Sequence, residues 1–155
     1  ETIPMKTSWY AARVLSAAVI AAVGCGGPDL DFPELVPVEG TVTQDGEPLS
    51  SVHVMFTPTG QTRGQGAMGF TDEEGHYTLS TQYGEGAPVG QYDVVLSKLV
   101  MPDGSDYEPK PGEGPMDSPA REVLPPRYSN PEASELTATV PEGGDEIDFE
   151  VSLER

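Results

Sequence analysis

Cysteine, tryptophan, histidine and basic residues are all scarce in this chain. Of 155 residues, one is Cys, one is Trp and two are His, and eight Lys and Arg stand against 26 Asp and Glu. Each shortage closes off a class of function. A single Cys25 forms no internal disulfide, and with His53 and His76 it provides no zinc-ligand pattern. Nucleophilic catalysis needs a base beside Ser, Thr or Cys. The two His offer little, one expected on the outward face of a strand and the other in a variable slot after a turn glycine. Neither G-x-S-x-G nor H-E-x-x-H occurs. The formal net charge of −18 repels nucleic acid and anionic lipid headgroups. The expectation is a protein without enzymatic activity, without a cofactor and without a nucleic-acid partner.

What the chain does have begins near its N-terminus. Lys6 and Arg13 precede an apolar run from Val14 to Val23, and the export signal is expected to start at Met5. The run is half the roughly 20 residues that cross a bilayer, and it matches the apolar core of a secretory signal. It ends in Ala22-Val23-Gly24-Cys25, which resembles the bacterial lipobox, although Leu is more usual than Ala at position 22. The resemblance implies a cleaved signal over residues 1–24, an acylated Cys25, a tether over 25–35 and a folded domain over 36–155. Removing the signal takes two of the eight basic and one of the 26 acidic residues, leaving a net charge of about −19. With that surface, attachment to the membrane must come from the acyl chains on Cys25. Gly26 in place of Asp after Cys25 implies, by resemblance to lipoprotein sorting, the outer membrane, facing the periplasm or the cell surface. An envelope protein or a glycan is the partner class left open.

From Val36 onward the hydrophobic period is two. Seven strands are expected: 36–43, 51–57, 66–71, 76–81, 91–99, 135–140 and 146–153. In the second, Val52, Val54 and Phe56 share a face and His53 and Met55 take the other. In the fifth, Tyr92, Val94 and Leu96 align. In the last, Ile147, Phe149, Val151 and Leu153 face in, opposite Glu146, Asp148, Glu150 and Ser152. Phe56, Leu96 and Phe149 are expected in the core, and His53 and Asp148 are expected to be dispensable for stability. Short one-sided strands with Gly/Pro turns predict an all-β, seven-stranded antiparallel β-sandwich. Residues 100–130, with seven Pro and three Gly, interrupt the rhythm as a long loop. Mobility is expected over 102–119, and return packing over 122–128 with Tyr128 as anchor.

Three local patterns carry a family resemblance. The first is Val38-Glu39-Gly40-Thr41-Val42-Thr43 followed by Asp45-Gly46-Glu47-Pro48-Leu49. The second is the hairpin Thr71-Asp72-Glu73-Glu74-Gly75-His76-Tyr77-Thr78-Leu79. The third is Pro88-Val89-Gly90-Gln91-Tyr92-Asp93-Val94. In this order they resemble carboxypeptidase-regulatory-like domains, and the tail from Leu124 resembles small bacterial lipoproteins built on that domain. The resemblance implies a transthyretin-like (or immunoglobulin-like) sandwich in an accessory role, with no catalytic residue. Thr71, Asp72, Gly75, Tyr77, Gly90 and Tyr92 are then scaffold positions. Glycine at 75 and 90 admits tight backbone, Asp72 caps a turn, and the tyrosines bury their rings with the hydroxyls bonded at the sheet margin.

Two further readings concern ligands. Asp72 with Glu74, and Asp103 with Asp106, are hard-oxygen groups of the kind calcium takes, without the EF-hand spacing. Tyr83, Tyr107 and Tyr128 are loop aromatics of the kind that stack on sugars. Trp9, the best stacking residue, is expected to leave with the signal.

Overall fold

The computed structural model describes residues 33–108 and 118–152. The export signal, Cys25 and most of the tether lie outside the described residues, as do 109–117 and Leu153. Along the chain run β1 (Leu35–Val36), β2 (Val38–Gln44), β3 (Glu47–Pro48), β4 (His53–Thr59), β5 (Ala67–Phe70), β6 (His76–Thr78) and β7 (Ser80–Thr81). There follow β8 (Gly84–Glu85), β9 (Ala87–Pro88), β10 (Gly90–Ser97), β11 (Leu99–Val100) and β12 (Arg121–Glu122). A single helical turn, α1 (Pro126–Ser129), precedes β13 (Thr137–Val140), β14 (Asp145–Glu146) and β15 (Phe149–Val151). The protein is all-β, as the alternation predicts. Each of the seven expected strand regions carries strand, four of them divided between two elements.

Two sheets share one core. The larger has the order β13-β10-β4-β5-β7-β8 and is antiparallel throughout. The second centres on β2, flanked by β14 and β15 on one side and by β3 and β6 on the other. Between them lie the residues that the period of two turned inward: Val38, Val42, Val54, Phe56, Tyr92, Val94, Leu96, Phe149 and Val151. The ring of Phe56 sits 5.6 Å from Tyr92 and 6.2 Å from Phe149, so aromatics of both sheets meet at the centre. Burial of such side chains is the main stabilising term of a fold this small, about 1.5–3 kcal/mol for each large one.

The expected fourth strand splits because it changes sheets. His76–Thr78 pairs with β2, whereas Ser80–Thr81 pairs with β5 and β8. Leu79, fully buried, is the corner, and its N–H donates to the Val38 carbonyl at 2.9 Å. Strands that bend from one sheet to the other close the corner of a sandwich. This one passes so close to β5 that a Cβ on Gly69 would stand 2.4 Å from the Thr78 carbonyl oxygen.

The final strand differs from expectation in direction. Both β14 and β15 run parallel to β2, so the sheet is not wholly antiparallel. The pairing keeps one register, from Asp145 opposite Val38 to Val151 opposite Gln44, but the ladder is interrupted at Ile147 and Asp148. Side chains take over there. Tyr77, opposite Gly40 on the other flank of β2, donates its hydroxyl to the Ile147 carbonyl at 2.6 Å. The Asp148 carboxylate accepts the Thr41 N–H at 2.7 Å. Asp148 is therefore exposed, as the alternation predicts, but it is bonded to the backbone of β2, an engagement that the expectation of a dispensable side chain did not include. Gly40 makes the arrangement possible, since a Cβ there would lie 1.9 Å from the Ile147 carbonyl oxygen.

The 100–130 stretch is also more ordered in part than its composition suggests. β11 pairs with β12, and Val100 bridges Asp106. Lys98 Nζ donates to the Ser50 carbonyl and to Asp106, each at 2.7 Å. Within the span expected to be mobile, Asp106 and Tyr107 are thus bonded back to Lys98, Val100 and Leu99, residues 102–105 form an exposed turn, and 109–117 fall outside the described residues. The return leg packs as expected: Leu124 is buried, and the Tyr128 hydroxyl accepts the Ser152 N–H at 3.2 Å.

Candidate functional site

The six scaffold positions all have physical work. Thr71 is buried, its hydroxyl accepting the Val52 N–H and donating to the Leu49 carbonyl. Asp72 Oδ1 accepts the N–H groups of Glu74 and His76, which fixes the turn. Gly75 has φ of 75°, and a Cβ would press to 2.7 Å on the Val42 carbonyl. Tyr92 donates to the Pro88 carbonyl at 2.6 Å, a hydroxyl reaching back four residues as in a tyrosine corner. Burial pushes its phenol up to about 12. Between them, Gly90 has φ of 154°, and a Cβ would meet the Thr62 side chain. Pro88, Gly90 and Tyr92 therefore form one backbone device.

The proposed calcium ligands do not come together. Asp72 is occupied by its turn. Asp103 accepts the Ser105 hydroxyl and N–H, which hold its carboxyl below the ordinary range. Asp106 is held low first by its hydrogen bond from Lys98. Glu74 adds no bonded side chain to either group, and among the described residues no three His, Cys, Asp or Glu side chains are placed to share a metal ion.

The outer face of the larger sheet is the surface that the sequence did not announce. Registered pairing sets Val95, Met55, Met68, Ser80 and Glu85 in one row across five strands. The next row holds Ser97, His53 and Phe70. Met68 is 51 % exposed and Phe70 53 %. They face out because β5 is inverted: its small residues, Ala67 and Gly69, face a core made narrow by the β6–β7 corner. On the far side of the same face come rows of Thr57, Asp93 and Thr137, and of Thr59, Gln91 and Thr139.

His53 belongs to this face but is half-buried, not solvated as expected. Its ring stacks on Phe70 at 4.5 Å between centroids, with 8° between planes. Its Nε2 is buried without a hydrogen-bond partner among the described residues. Burial lowers its pKa below the ordinary 6.5. The folded state therefore favours neutral His53, and its contribution is complete above about pH 6.5 and lost as pH falls through the folded value. Between about pH 7 and pH 5, wild type should lose stability relative to His53→Gln in urea melts. Parallel curves for the two proteins would contradict the assignment. His76, in the other sheet, is exposed and 3.8 Å from Glu39.

A concavity of about 540 Å³ opens beside the first strand of the domain. Pro33, Leu35 and Pro88 give it an apolar wall, and Arg63, Gln65 and Tyr83 a polar rim. Of the three loop tyrosines, only Tyr83 is exposed, at 53 %. Tyr107 and Tyr128 are half-buried, the latter beneath the Arg127 guanidinium at 4.9 Å, which also holds its phenol below the ordinary value.

Among the described residues no helix is long and apolar enough to cross a membrane. The chain matches no family model, no curated protein and no solved structure.

Proposed function

We propose that this chain is a non-enzymatic, lipid-anchored protein of the cell envelope, exported and held at the outer membrane, with a structural or protein-interaction role. One observation carries the reading: the only cysteine closes a ten-residue apolar run behind two basic residues, in a lipobox-like setting. The first strand begins at Leu35, ten residues beyond Cys25, so the tether is short. Fully extended, it reaches on the order of 35 Å, which keeps the domain close to the bilayer. Support for a transthyretin-like sandwich of the carboxypeptidase-regulatory-like kind comes from the seven strand regions, the two sheets over one core, and the physical roles of Thr71, Asp72, Gly75, Tyr77, Gly90 and Tyr92. Parallel pairing of the last strand departs from the simple antiparallel version.

Metabolic labelling with a palmitate analogue tests the anchor. Wild type should take up label and fractionate with membranes, and Cys25→Ser should do neither. Persistent label in the Cys25→Ser protein rejects the proposal. A glycan-binding role is the second reading, favoured by exposed Tyr83 beside Arg63 and Gln65 on the 540 Å³ cleft. Binding on a glycan array that is lost in Tyr83→Ala would favour it.

A further inference from the structure

We infer that the outer face of the six-stranded sheet, centred on Met68 and Phe70, docks a protein surface that presents basic side chains around an apolar anchor. The inference gives a site and a partner chemistry to the interaction role proposed above, and it does not depend on acylation of Cys25.

Strand β5 carries the argument. Its two large apolar residues are turned to solvent, each more than half exposed, while alanine and glycine fill the inner positions. The inner choice follows from the 2.4 Å approach of the Thr78 carbonyl to the Gly69 position. That crowding explains why the interior takes small residues. It does not explain Met and Phe outside, where any polar residue of strand propensity would serve. Beside them, Met55 is half-buried, so the apolar surface continues from β5 onto β4, whereas Val95, 4 % exposed, is covered and adds no accessible area. Phe70 is already held by the stacked His53 ring, which lowers the ordering cost of using it as an anchor. Met68 and Met55 are adaptable contacts, the residue type found on surfaces that repack around a partner.

Charge selects the partner. No Lys or Arg stands at any registered position of this face, while Glu85 ends the central row and Asp93 lies beyond Met55 and Val95. Lys98, near the end of β10, is engaged by Ser50 and Asp106. The chain as a whole carries −18. A second copy would bring the same charge to the interface, and like charges across an interface are strongly disfavoured. A cationic rim around an apolar anchor satisfies both the Met68–Phe70 patch and its acidic border.

The test uses the full chain with labelled methionine methyls, carried in phosphatidylcholine nanodiscs through its acyl groups, or free in buffer if it has none. Three short peptides are titrated: one alternating Lys and Phe, one alternating Lys and Ser, and one alternating Glu and Phe. The Lys–Phe peptide should shift the Met68 and Met55 methyls saturably, and the other two should bind at least about tenfold more weakly. Met68→Ser with Phe70→Ser should weaken the Lys–Phe peptide by a similar factor. Reversing the border with Glu85→Lys and Asp93→Lys should instead transfer preference to the Glu–Phe peptide, an exchange that a folding defect does not produce. Equal binding by Lys–Phe and Lys–Ser would overturn the inference, as would unchanged binding to the Met68→Ser/Phe70→Ser protein. A glycan that shifts these methyls where the Lys–Phe peptide does not would also overturn it. Because the peptides read the sheet face whether or not Cys25 is acylated, failure of docking and failure of anchoring are separate results.

Discussion

Alanine in place of Gly40 is expected to destabilise the domain by about 3 kcal/mol or more, at or beyond the upper end of ordinary overpacking. The added methyl carbon would lie 1.9 Å from the Ile147 carbonyl oxygen and 2.6 Å from its carbon. Both are backbone atoms, which no rotamer change can move away. Relief requires pulling β14 and β15 from β2, and the Tyr77 and Asp148 bonds that replace the missing ladder would go with them. The comparison is Gly143→Ala, where no atom lies within 4 Å and little change is expected. Urea melts of the two variants decide the matter. Equal midpoints would mean that the last strand does not lie on β2 as described.

Phe56→Ala carries the second large effect, about 3–5 kcal/mol. The side chain is 1 % exposed and touches aromatic rings from its own sheet and from the opposite one. Truncation opens a cavity at the point where Tyr92 and Phe149 converge, and neither sheet can collapse into it without breaking its own register. Met68→Ala, in the adjoining residue pair of the same sheet but on the outer face, should stay within about 0.5 kcal/mol. Comparable losses from both changes would show that the two faces of the sheet have been exchanged.

The contrast between those residues shows what alternation can convey. A period of two tells which residues share a face, and in β4, β10 and β15 the larger apolar set duly lies inside. It does not tell the direction of the neighbouring strand, because parallel and antiparallel partners impose the same period. The parallel placement of Phe149–Val151 on β2 therefore could not be read from its pattern. Strand β5 reverses the usual rule, since the face with Ala67 and Gly69 is inside. Only the passage of Thr78 over Gly69 explains that, and it is a contact between segments nine residues apart that no local window displays. The glycines of the turns were legible because their role is local. Gly40, whose role is to let a distant carbonyl approach, was not. The same distinction applies to the candidate surfaces. Cys25 announces itself by its position behind an apolar run, whereas the Met68–Phe70 face exists only once five strands are in register.

The parallel seat of the last strand has a consequence for the order in which the protein can be made. Val38 pairs with Asp145 and Gln44 with Val151, so an early strand waits for one of the last. The hairpin-like pairs of the larger sheet can form as soon as their segments emerge, but one side of β2 stays open until nearly the whole chain is free. Long-range pairings of this kind are slow to form because a large loop must close first. A chain delivered N-terminus first, from a ribosome or through a narrow pore, would therefore remain threadable for most of its length and complete its second sheet only on release.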